Sequence, residues 1–289
     1  MRVAVRLGAH MSISGGVDSA FDRGKQVGCD AMQIFTKNSN QWHAAPLTDE
    51  MVQRYHRRQA ETGIAPVVAH ASYLLNLASP ADELWNKSID SLVVEMQRCD
   101  ALAIPYLIVH PGSHMGSGEQ TGIQRIALAL NMAQGRLPDA RVKVALETTS
   151  GQGDHLGYRF EQIAGMIRHV EAGDRLAVCF DTCHTLTAGY DFRTPEGYAD
   201  VFREFDAIIG LPRLTVFHLN DSVKDVGSRR DRHAHIGEGF VRLEGFRLLL
   251  NDPRFEIIPM LLETPKSEDM HEDVENLTRL RALMQVDAE

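Results

Sequence analysis

The chain has 289 residues, of which 44% are hydrophobic and 24% are charged, a composition typical of a globular protein with a large core. It contains neither an apolar run of signal-peptide length at its start nor one long enough to span a membrane, so we expect a cytoplasmic protein and no membrane partner. The formal net charge of −9 argues only weakly against a nucleic-acid partner, because bound divalent cations reverse the local field of a carboxylate-lined cleft.

Eight short apolar runs follow one another along the chain, at 3–7, 31–35, 65–69, 106–109, 142–146, 176–180, 214–217 and 257–262. Each is too continuously apolar for a strand with one wet face, which predicts parallel strands buried on both sides. Segments of helical length and spacing alternate with them, at 14–28, 48–62, 80–102, 119–135, 160–171, 195–210, 243–250 and 267–284. Glycine follows some of these segments, as at Gly28 and Gly63, and Thr194-Pro195 opens another.

This alternation predicts an α/β fold, a single-domain (β/α)8 TIM barrel that takes up residues 1–289. A doubly wound open sheet is the competing architecture, but it needs neither eight units nor polar residues after nearly every strand. The sequence has no low-complexity segment or linker that suggests a second domain, and nothing in it resembles an association helix, so we expect a monomer.

Four cysteines are scattered along the chain, at Cys29, Cys99, Cys179 and Cys183. So few thiols in a chain of this length argue against a disulfide framework and fit a reducing compartment. Cys179 and Cys183 bracket Asp181, but the second cysteine pair of a zinc ribbon is missing. Packing is therefore the favoured interpretation of both.

Six successive strand-like runs end in an ionisable residue: His70, His110, Glu147, Asp181, His218 and Glu263. In a (β/α)8 barrel the carboxyl ends of the strands meet on one face, where active sites lie. A single buried histidine at a strand end is more often a core residue. A row of imidazoles and carboxylates cannot be buried side by side without cations or partners, and a metal cluster resolves that difficulty.

The segment 218–239 adds further potential ligands, because Asp231 and His233 stand two positions apart in a polar loop. In an extended segment such side chains point the same way and can hold one ion, although a solvated loop with incidental histidines is the alternative for this pair alone. His184 follows the strand-end Asp181 by three positions, and we place it in a loop. The nine candidate metal ligands are His70, His110, Glu147, Asp181, His184, His218, Asp231, His233 and Glu263.

Five of the nine are histidines, which favours zinc or another nitrogen-binding metal over magnesium. At about three to five ligands per ion, with a carboxylate shared, the set suits two or three ions. Such a cluster can generate hydroxide near neutral pH and clamp a phosphoryl group.

Several sequence words in the chain are together specific: FDTCHTLTAGYD at 180–191, ALETTSGQG at 145–153, HPGSH at 110–114, and HLNDS with GSRRDRHAHIGEG across 218–239. They resemble the family-2 AP endonucleases, the endonuclease IV family, and the resemblance covers almost the whole chain. It implies a barrel with three zinc ions that cuts the phosphodiester 5′ to an abasic site in duplex DNA, leaving a 3′-hydroxyl and a 5′-deoxyribose phosphate. It also implies removal of blocking groups from 3′ ends, and thus a role in base excision repair.

The resemblance also implies how the ligands divide. His70, His110 and a bridging Glu147 would hold one zinc, and Glu147, Asp181, His218 and Glu263 a second. His184, Asp231 and His233 would hold the third. Glu147 and Glu263 are the expected catalytic residues, which position the attacking water without a covalent enzyme intermediate. We expect Ser113 and Ser222 to make loop hydrogen bonds, and His10, His114 and His235 to lie beside the site without binding metal.

The loops after the second and third strands resemble the DNA-penetrating loops of the family. Lys37 would meet phosphate, and Gln41, Tyr73 and Leu74 would fill the gap left by a flipped abasic sugar. Ordinary loop packing is the alternative for Tyr73 and Leu74. Asn40, in the loop after the second strand, is a further expected DNA contact but departs from the family, where some members carry arginine, so this chain lacks a cation that could stack on the orphan base.

A basic run in the loop 224–232 supplies Arg230 and Arg232 as further DNA contacts, with a solvated loop as the alternative. The main rival function is a metal-dependent sugar isomerase or epimerase, which predicts one or two Mn²⁺ or Mg²⁺ ions and a carboxylate-rich site. A zinc-binding module without catalysis is the remaining alternative. The excess of histidine and the loop pair Asp231 and His233 favour the nuclease.

Overall fold

The computed structural model describes residues 5–285 and confirms the predicted (β/α)8 barrel. The strands, all parallel, are β1 (Leu7–Met11), β2 (Ala31–Phe35), β3 (Val67–His70), β4 (Tyr106–Val109), β5 (Lys143–Glu147), β6 (Leu176–Asp181), β7 (Leu214–His218) and β8 (Met260–Leu262). They lie side by side in chain order, and β8 pairs with β1 to close the barrel. A pair of two-residue strands, Asp221–Ser222 and His233–Ala234, folds back over the end of β7.

The α-helices between residues 5 and 285 are α1 (Ala20–Val27), α2 (Asp49–Thr62), α3 (Asp82–Ala101), α4 (Glu119–Arg136), α5 (Phe160–Arg168), α6 (Thr182–Ala188), α7 (Pro195–Ile208), α8 (Arg242–Leu250) and α9 (His271–Leu283). Gly28 and Gly63 end α1 and α2 in the left-handed conformation, as their positions in the sequence predicted. Thr194 caps α7 by accepting from the backbone amide of Gly197. None of these helices is long and apolar enough to cross a membrane.

The first and eighth strands begin later than predicted. The first was predicted at 3–7, but β1 begins at Leu7, and Val3 lies outside the described residues. A side chain at Gly8 would meet the carbonyl oxygen of Ala31, so glycine here allows β1 to pair closely with β2. The eighth strand starts at Met260 rather than 257, and Ile257 is 70% exposed in the preceding turn.

The helix α6 was missed, because the sequence around His184 was predicted to be a loop. It begins directly after β6, where the Asp181 side chain accepts from the amide of His184 and caps it. The helix has only seven residues, too short for an apolar periodicity to be visible. Its consequence is that His184 is held by helical backbone beside the end of β6.

Side chains inside the barrel follow the two-residue period of strands. One interior apolar cluster contains Ala31, Val68, Ile108, Ala145, Ala177, Cys179, Val216 and Leu261. Two positions further along six of the strands come the ionisable residues predicted to form the site: His70, His110, Glu147, Asp181, His218 and Glu263. The apolar interior therefore forms a layer, the apolar floor of the barrel, directly beneath these polar side chains.

Candidate metal centre

Glu147 lies at the centre of the ionisable cluster and is fully buried. Its Oε2 atom is 3.2 Å from His70 Nε2 and 3.1 Å from His110 Nε2. Its Oε1 atom is 3.0 Å from His218 Nδ1. One carboxylate from β5 thus meets imidazoles from three other strand ends, which places it where a bridging ligand between two ions would stand.

A second group of donors surrounds His218 Nδ1. Glu263 Oε2 lies 3.2 Å from this nitrogen, and Asp181 Oδ2 lies 4.0 Å from it. The ligand atoms of Glu147, Asp181, His218 and Glu263 all lie within 4.8 Å of one another, as do those of His70, His110 and Glu147. The structure therefore brings together the two residue sets that share Glu147.

The third group joins α6 to the segment after β7. His184 Nε2 is 3.2 Å from Asp231 Oδ2, and His233 Nε2 is 3.5 Å from Asp231 Oδ1. Asp231 and His233 point to the same side, as the extended spacing predicted. All nine predicted ligands thus lie in three adjoining groups, while their binding of metal remains a prediction.

The outer ring nitrogens of the histidines have acceptors that set their tautomers. Nδ1 of His70 lies 2.7 Å from the carbonyl oxygen of Ala71, and Nδ1 of His184 lies 2.9 Å from that of Thr148. Nδ1 of His233 is 3.1 Å from the carbonyl oxygen of Glu263. A carbonyl only accepts, so each Nδ1 carries a proton, and each Nε2 could offer its lone pair to a metal ion that displaces any proton held there. This is the arrangement typical of histidines that bind metal.

Gln33, which was not among the predicted site residues, sets the tautomer of His218. Gln33 is fully buried, and its Nε2 lies 2.5 Å from Glu263 Oε1. Since a carboxylate accepts, the amide nitrogen must face it, and Gln33 Oε1 then accepts from His218 Nε2 at 2.8 Å. His218 Nδ1 is left free to face the carboxylates. The available signal was the position of Gln33 two residues beyond Ala31, in the same interior register as the predicted ligands.

The carboxylates and imidazoles of the cluster shift one another's pKa values in opposite directions. Burial acts to raise the pKa of Glu147 and Glu263, but the surrounding imidazoles hold both well below the ordinary value. Burial acts to lower the pKa of His184 and His218, but the neighbouring acidic groups raise both well above it. Carboxylates and imidazolium groups therefore stand side by side, in positions where divalent cations can replace the protons.

Two buried nitrogens test whether the residues fit metal ions. Among the side chains of residues 5–285, His184 Nε2 and His233 Nε2 are buried without a hydrogen-bond partner; the Asp231 oxygen near His184 does not meet hydrogen-bond geometry. Orphaned buried nitrogens are costly, and in both cases they point into the third group. With nitrogen and oxygen donors at short range, the residues fit a cluster of zinc-like ions.

Other predicted neighbours of the site take supporting positions. His10 lies within β1, its ring 4.3 Å from that of Phe35, and its Nδ1 accepts from Gln33. His114 Nδ1 accepts from the amide of Gly118, and Asn276 lies 3.2 Å from His235 Nδ1. The hydroxyl oxygen of Ser113 accepts from the amide of Met115, and the hydroxyl of Ser222 donates to the carbonyl oxygen of Lys224, as predicted for loop hydrogen bonds. The four cysteines are free and buried, and burial raises the pKa of Cys179 and Cys183 to about 12.

The candidate DNA-reading residues lie on two loops, the β2 loop (residues 36–42) and the β3 loop (residues 71–76). Tyr73 is 60% exposed, with its ring 5.3 Å from that of His70 and 5.5 Å from that of Phe35. Asn40 and Gln41 are exposed and Leu74 is half-buried. The β3 loop therefore presents an aromatic ring directly over the candidate metal centre.

Lys37, the predicted phosphate contact, is buried in the β2 loop. Its side chain is 2% exposed, and its ammonium lies 3.2 Å from Glu95 and donates to the carbonyl oxygen of Gln41 at 2.6 Å. The ammonium is therefore paired within the protein, and a contact between Lys37 and a DNA phosphate stays a prediction. The sequence could not show this, because its partner lies 58 positions away on α3.

Arg230 and Arg232 are exposed near the third group, where the sequence analysis placed them. Their neighbour Arg229 is engaged differently: its guanidinium lies 4.1 Å from the ring centre of Tyr158, and its Nε donates to the carbonyl oxygen of Gly151. All three arginines are exposed, but Arg229 is held against Tyr158 and Gly151.

A family model described as "Xylose isomerase-like TIM barrel" matches residues 21–283. A curated relative from Chloroflexus aurantiacus, "Probable endonuclease 4", is 54% identical over 280 residues, which cover 97% of this chain and 98% of the relative. The solved endonuclease IV from Thermus thermophilus superposes with a TM-score of 0.85 at 36% identity, covering 96% of this chain and 98% of its own.

More distant structures share the fold alone. A D-tagatose 3-epimerase-like protein superposes with a TM-score of 0.73 at 17% identity, covering 96% of each chain. High identity over nearly full length is found instead with the endonuclease 4 relatives. The chain belongs to the endonuclease IV family of xylose isomerase-like TIM barrels.

Proposed function

We propose that the protein is a zinc-dependent DNA-repair endonuclease that hydrolyses the phosphodiester 5′ to abasic sites in duplex DNA. The products would be a 3′-hydroxyl and a 5′-deoxyribose phosphate. The observation that carries this proposal is the juxtaposition of three donor groups, two of which share Glu147. The names of the relatives, "Probable endonuclease 4" and "endonuclease IV", support the same substrate class.

The nine candidate ligands divide among three ions as the donor groups do. When bound, such ions supply hydroxide near neutral pH and neutralise charge on a phosphoryl group. Glu263 Oε2 lies 3.2 Å from His218 Nδ1, and the residue also lines a cavity of about 620 Å³ together with His10, Phe35 and Tyr73. We assign Glu263, with Glu147, to accepting hydrogen bonds from the attacking water and orienting it toward phosphorus.

The exposed side chains of the two loops would read the lesion. An abasic sugar has no base to stack, so it leaves the helix at low cost, and Tyr73, Leu74 and Gln41 would occupy the gap. Arg230 and Arg232 would meet phosphates beside the cut. Because a blocked 3′ end is also a phosphate ester, the same residues support a clean-up activity at 3′ ends.

The rival is a metal-dependent sugar epimerase on the same barrel. The fold is compatible with it, as the D-tagatose 3-epimerase-like structure shows. Five of the nine donors here are histidines, however, and the group formed by His184, Asp231 and His233 makes room for a further ion. That chemistry favours phosphate hydrolysis at a multinuclear centre.

The test combines elemental analysis of the purified protein with incision of a duplex that carries one tetrahydrofuran abasic analogue, without added metal. We expect about three zinc ions per chain, the number that nine ligands with one shared carboxylate suit, and a cut 5′ to the analogue. One or two Mn or Mg ions, no incision, and turnover of a ketose would establish the epimerase instead.

We infer that this activity is exercised by a monomer in a reducing cytoplasm. The four free, buried cysteines fit such a compartment. Sedimentation of the purified protein tests the monomer.

A further inference from the structure

A buried ion pair connects the β2 and β3 loops to helix α3. Lys37 in the β2 loop and Glu95 on α3 lie 3.2 Å apart, with side chains 2% and 1% exposed. Neither residue belongs to the three donor groups described above. An ion pair so completely removed from water needs a reason, because desolvation of both charges opposes its formation.

Glu95 is the point at which the β3 loop is attached. Its carboxylate accepts from the backbone amide of Ser72 at 3.1 and 3.3 Å, and from the hydroxyl of Ser91 at 3.3 Å. Ser72 immediately precedes Tyr73, the exposed ring over the metal centre. The backbone that carries Tyr73 is therefore held by a charge-assisted hydrogen bond to a helix of the rigid outer ring.

Lys37 attaches the β2 loop to the same carboxylate. Its ammonium also donates to the carbonyl oxygen of Gln41 at 2.6 Å, closing the loop on itself. The hydroxyl of Ser72 in turn donates to the carbonyl oxygen of Ser39, so the two loops are joined directly as well. The loop that carries Asn40 and Gln41 is thus fixed relative to Tyr73.

One turn further along α3, Arg98 secures the start of the β2 loop. Its Nε and Nη2 atoms donate to the carbonyl oxygen of Thr36 at 2.8 and 2.6 Å, and its Nη1 donates to that of Ala45. Helix α3 therefore holds the β2 loop through both Glu95 and Arg98. Lys37 and Glu95 supply the link that is common to both loops.

We propose that Lys37 and Glu95 are positioning residues for lesion recognition, which hold the two loops in the arrangement that enters abasic DNA. The inference rests on the proposed function for its substrate. Without the pair, DNA binding would have to order both loops, and that cost would weaken binding of the abasic duplex. The metal centre, held by other strand ends, would be left intact.

The test uses Lys37→Met, Glu95→Gln and the double variant in the metal-loaded full chain. The double variant removes both charges, so it avoids the uncompensated buried charge that could prevent a single variant from folding. Asp252→Asn serves as the control, since Asp252 is a carboxylate of 8% exposure, paired with Arg254 and bonded to Tyr198, and it lies outside both loops.

Hydrogen exchange of the protein without DNA is the first readout. We expect faster exchange of amides at 36–42 and 71–76 in all three variants and unchanged exchange there in the control. Steady-state kinetics on the tetrahydrofuran duplex are the second. We expect KM to rise about tenfold, the effect of about 1.4 kcal/mol of lost preorganisation, with kcat and zinc content within about twofold of wild type.

The double variant should raise KM no more than either single variant, because all three break one link. Wild-type exchange in both loops of the double variant would overturn the proposal, as would a fall in kcat with KM unchanged. An equal rise in KM in Asp252→Asn would also overturn it, by showing a general effect of lost stability. If the wild-type protein fails to cut, the proposed function fails, while the exchange result still decides whether the pair holds the loops.

Discussion

The side-chain amide of Gln33 lies 2.5 Å from the carboxylate of Glu263, across 230 positions of sequence. Both residues stand in the polar layer above the apolar floor of the barrel, and the amide also accepts from His218. Gln33 thereby fixes the orientation of one candidate ligand and the tautomer of another. Residues of this kind tune metal affinity although they never touch the ion.

The first prediction concerns this amide. We expect Gln33→Leu to fold normally but to lose zinc to a competing chelator about 10- to 100-fold more readily, the usual effect of removing a partner that orients a metal ligand. The measurement is zinc transfer to a chromogenic chelator. Gln134→Leu is the matched control, because Gln134 is a buried glutamine whose side chain has no hydrogen-bond partner among the described residues. Equal zinc retention in the two variants would remove Gln33 from this role.

Glu263→Gln should leave the fold intact and reduce incision by at least about 10²-fold. A neutral amide neither attracts cations nor accepts hydrogen bonds from water as strongly as a carboxylate does. The measurement is single-turnover incision of the abasic duplex, with circular dichroism to confirm folding. The exposed Glu268 on the following segment provides the control variant Glu268→Gln. A near wild-type rate for Glu263→Gln would reject the catalytic role of this residue.

Tyr73→Ala should weaken binding to abasic duplex about tenfold and binding to intact duplex much less, because the ring fills a gap that only the abasic duplex offers. Fluorescence anisotropy with the two duplexes measures the difference, and Tyr73→Phe, which keeps the ring, should bind like wild type. Equal losses on both duplexes would show that Tyr73 does not read the lesion.

Arg230 and Arg232 should act through phosphates. Arg230→Ala and Arg232→Ala are each expected to reduce the slope of log Kd against log salt concentration by about 1, with little change in the preference for abasic duplex. Arg229→Ala is the comparison, since this guanidinium is occupied by Tyr158 and Gly151. A slope that changes only in Arg229→Ala would reverse the assignment.

Metal removal should make stability depend on pH with a definite sign. The pKa values of His184 and His218 are raised in the metal-free protein, so their protonated forms stabilise it. That contribution is complete below the ordinary histidine pKa of about 6.5 and is lost as pH rises through the raised values. Thermal unfolding of chelator-dialysed protein should therefore show a falling midpoint from about pH 7 upward.

In the metal-loaded protein the ions replace those protons, so its midpoint should stay level over the same range. The lowered pKa values of Glu147 and Glu263 act at the acid end. Their contribution is present above about pH 4.3 and disappears as pH falls through the lowered values. A metal-free midpoint that rises above pH 7 would contradict the pairing seen in the cluster.

Much of the site was predictable because the carboxyl ends of barrel strands meet on one face. An apolar run followed by an ionisable residue recurs on strand after strand, so His70, His110, Glu147, Asp181, His218 and Glu263 could be placed on that face in advance, and the structure gives them one interior register. Gln33 occupies the same register on β2, but it was missed because an uncharged amide inside an apolar run carries no chemical signal by itself.

The eight-unit barrel, the face on which the polar residues gather and the nature of the donors could be predicted from the chain alone, because these depend on local period and residue type. Features that depend on partners distant in the chain could not. Only folding shows that Asp181 caps a short helix carrying His184, or that Gly8 lies too close to Ala31 of β2 for a side chain. Likewise Lys37 carries a charge that suits a phosphate, but burial against Glu95 gives it a different partner. Spacing along a strand determines the side to which each side chain points. Contacts between distant segments determine which of those side chains remain free to bind a ligand.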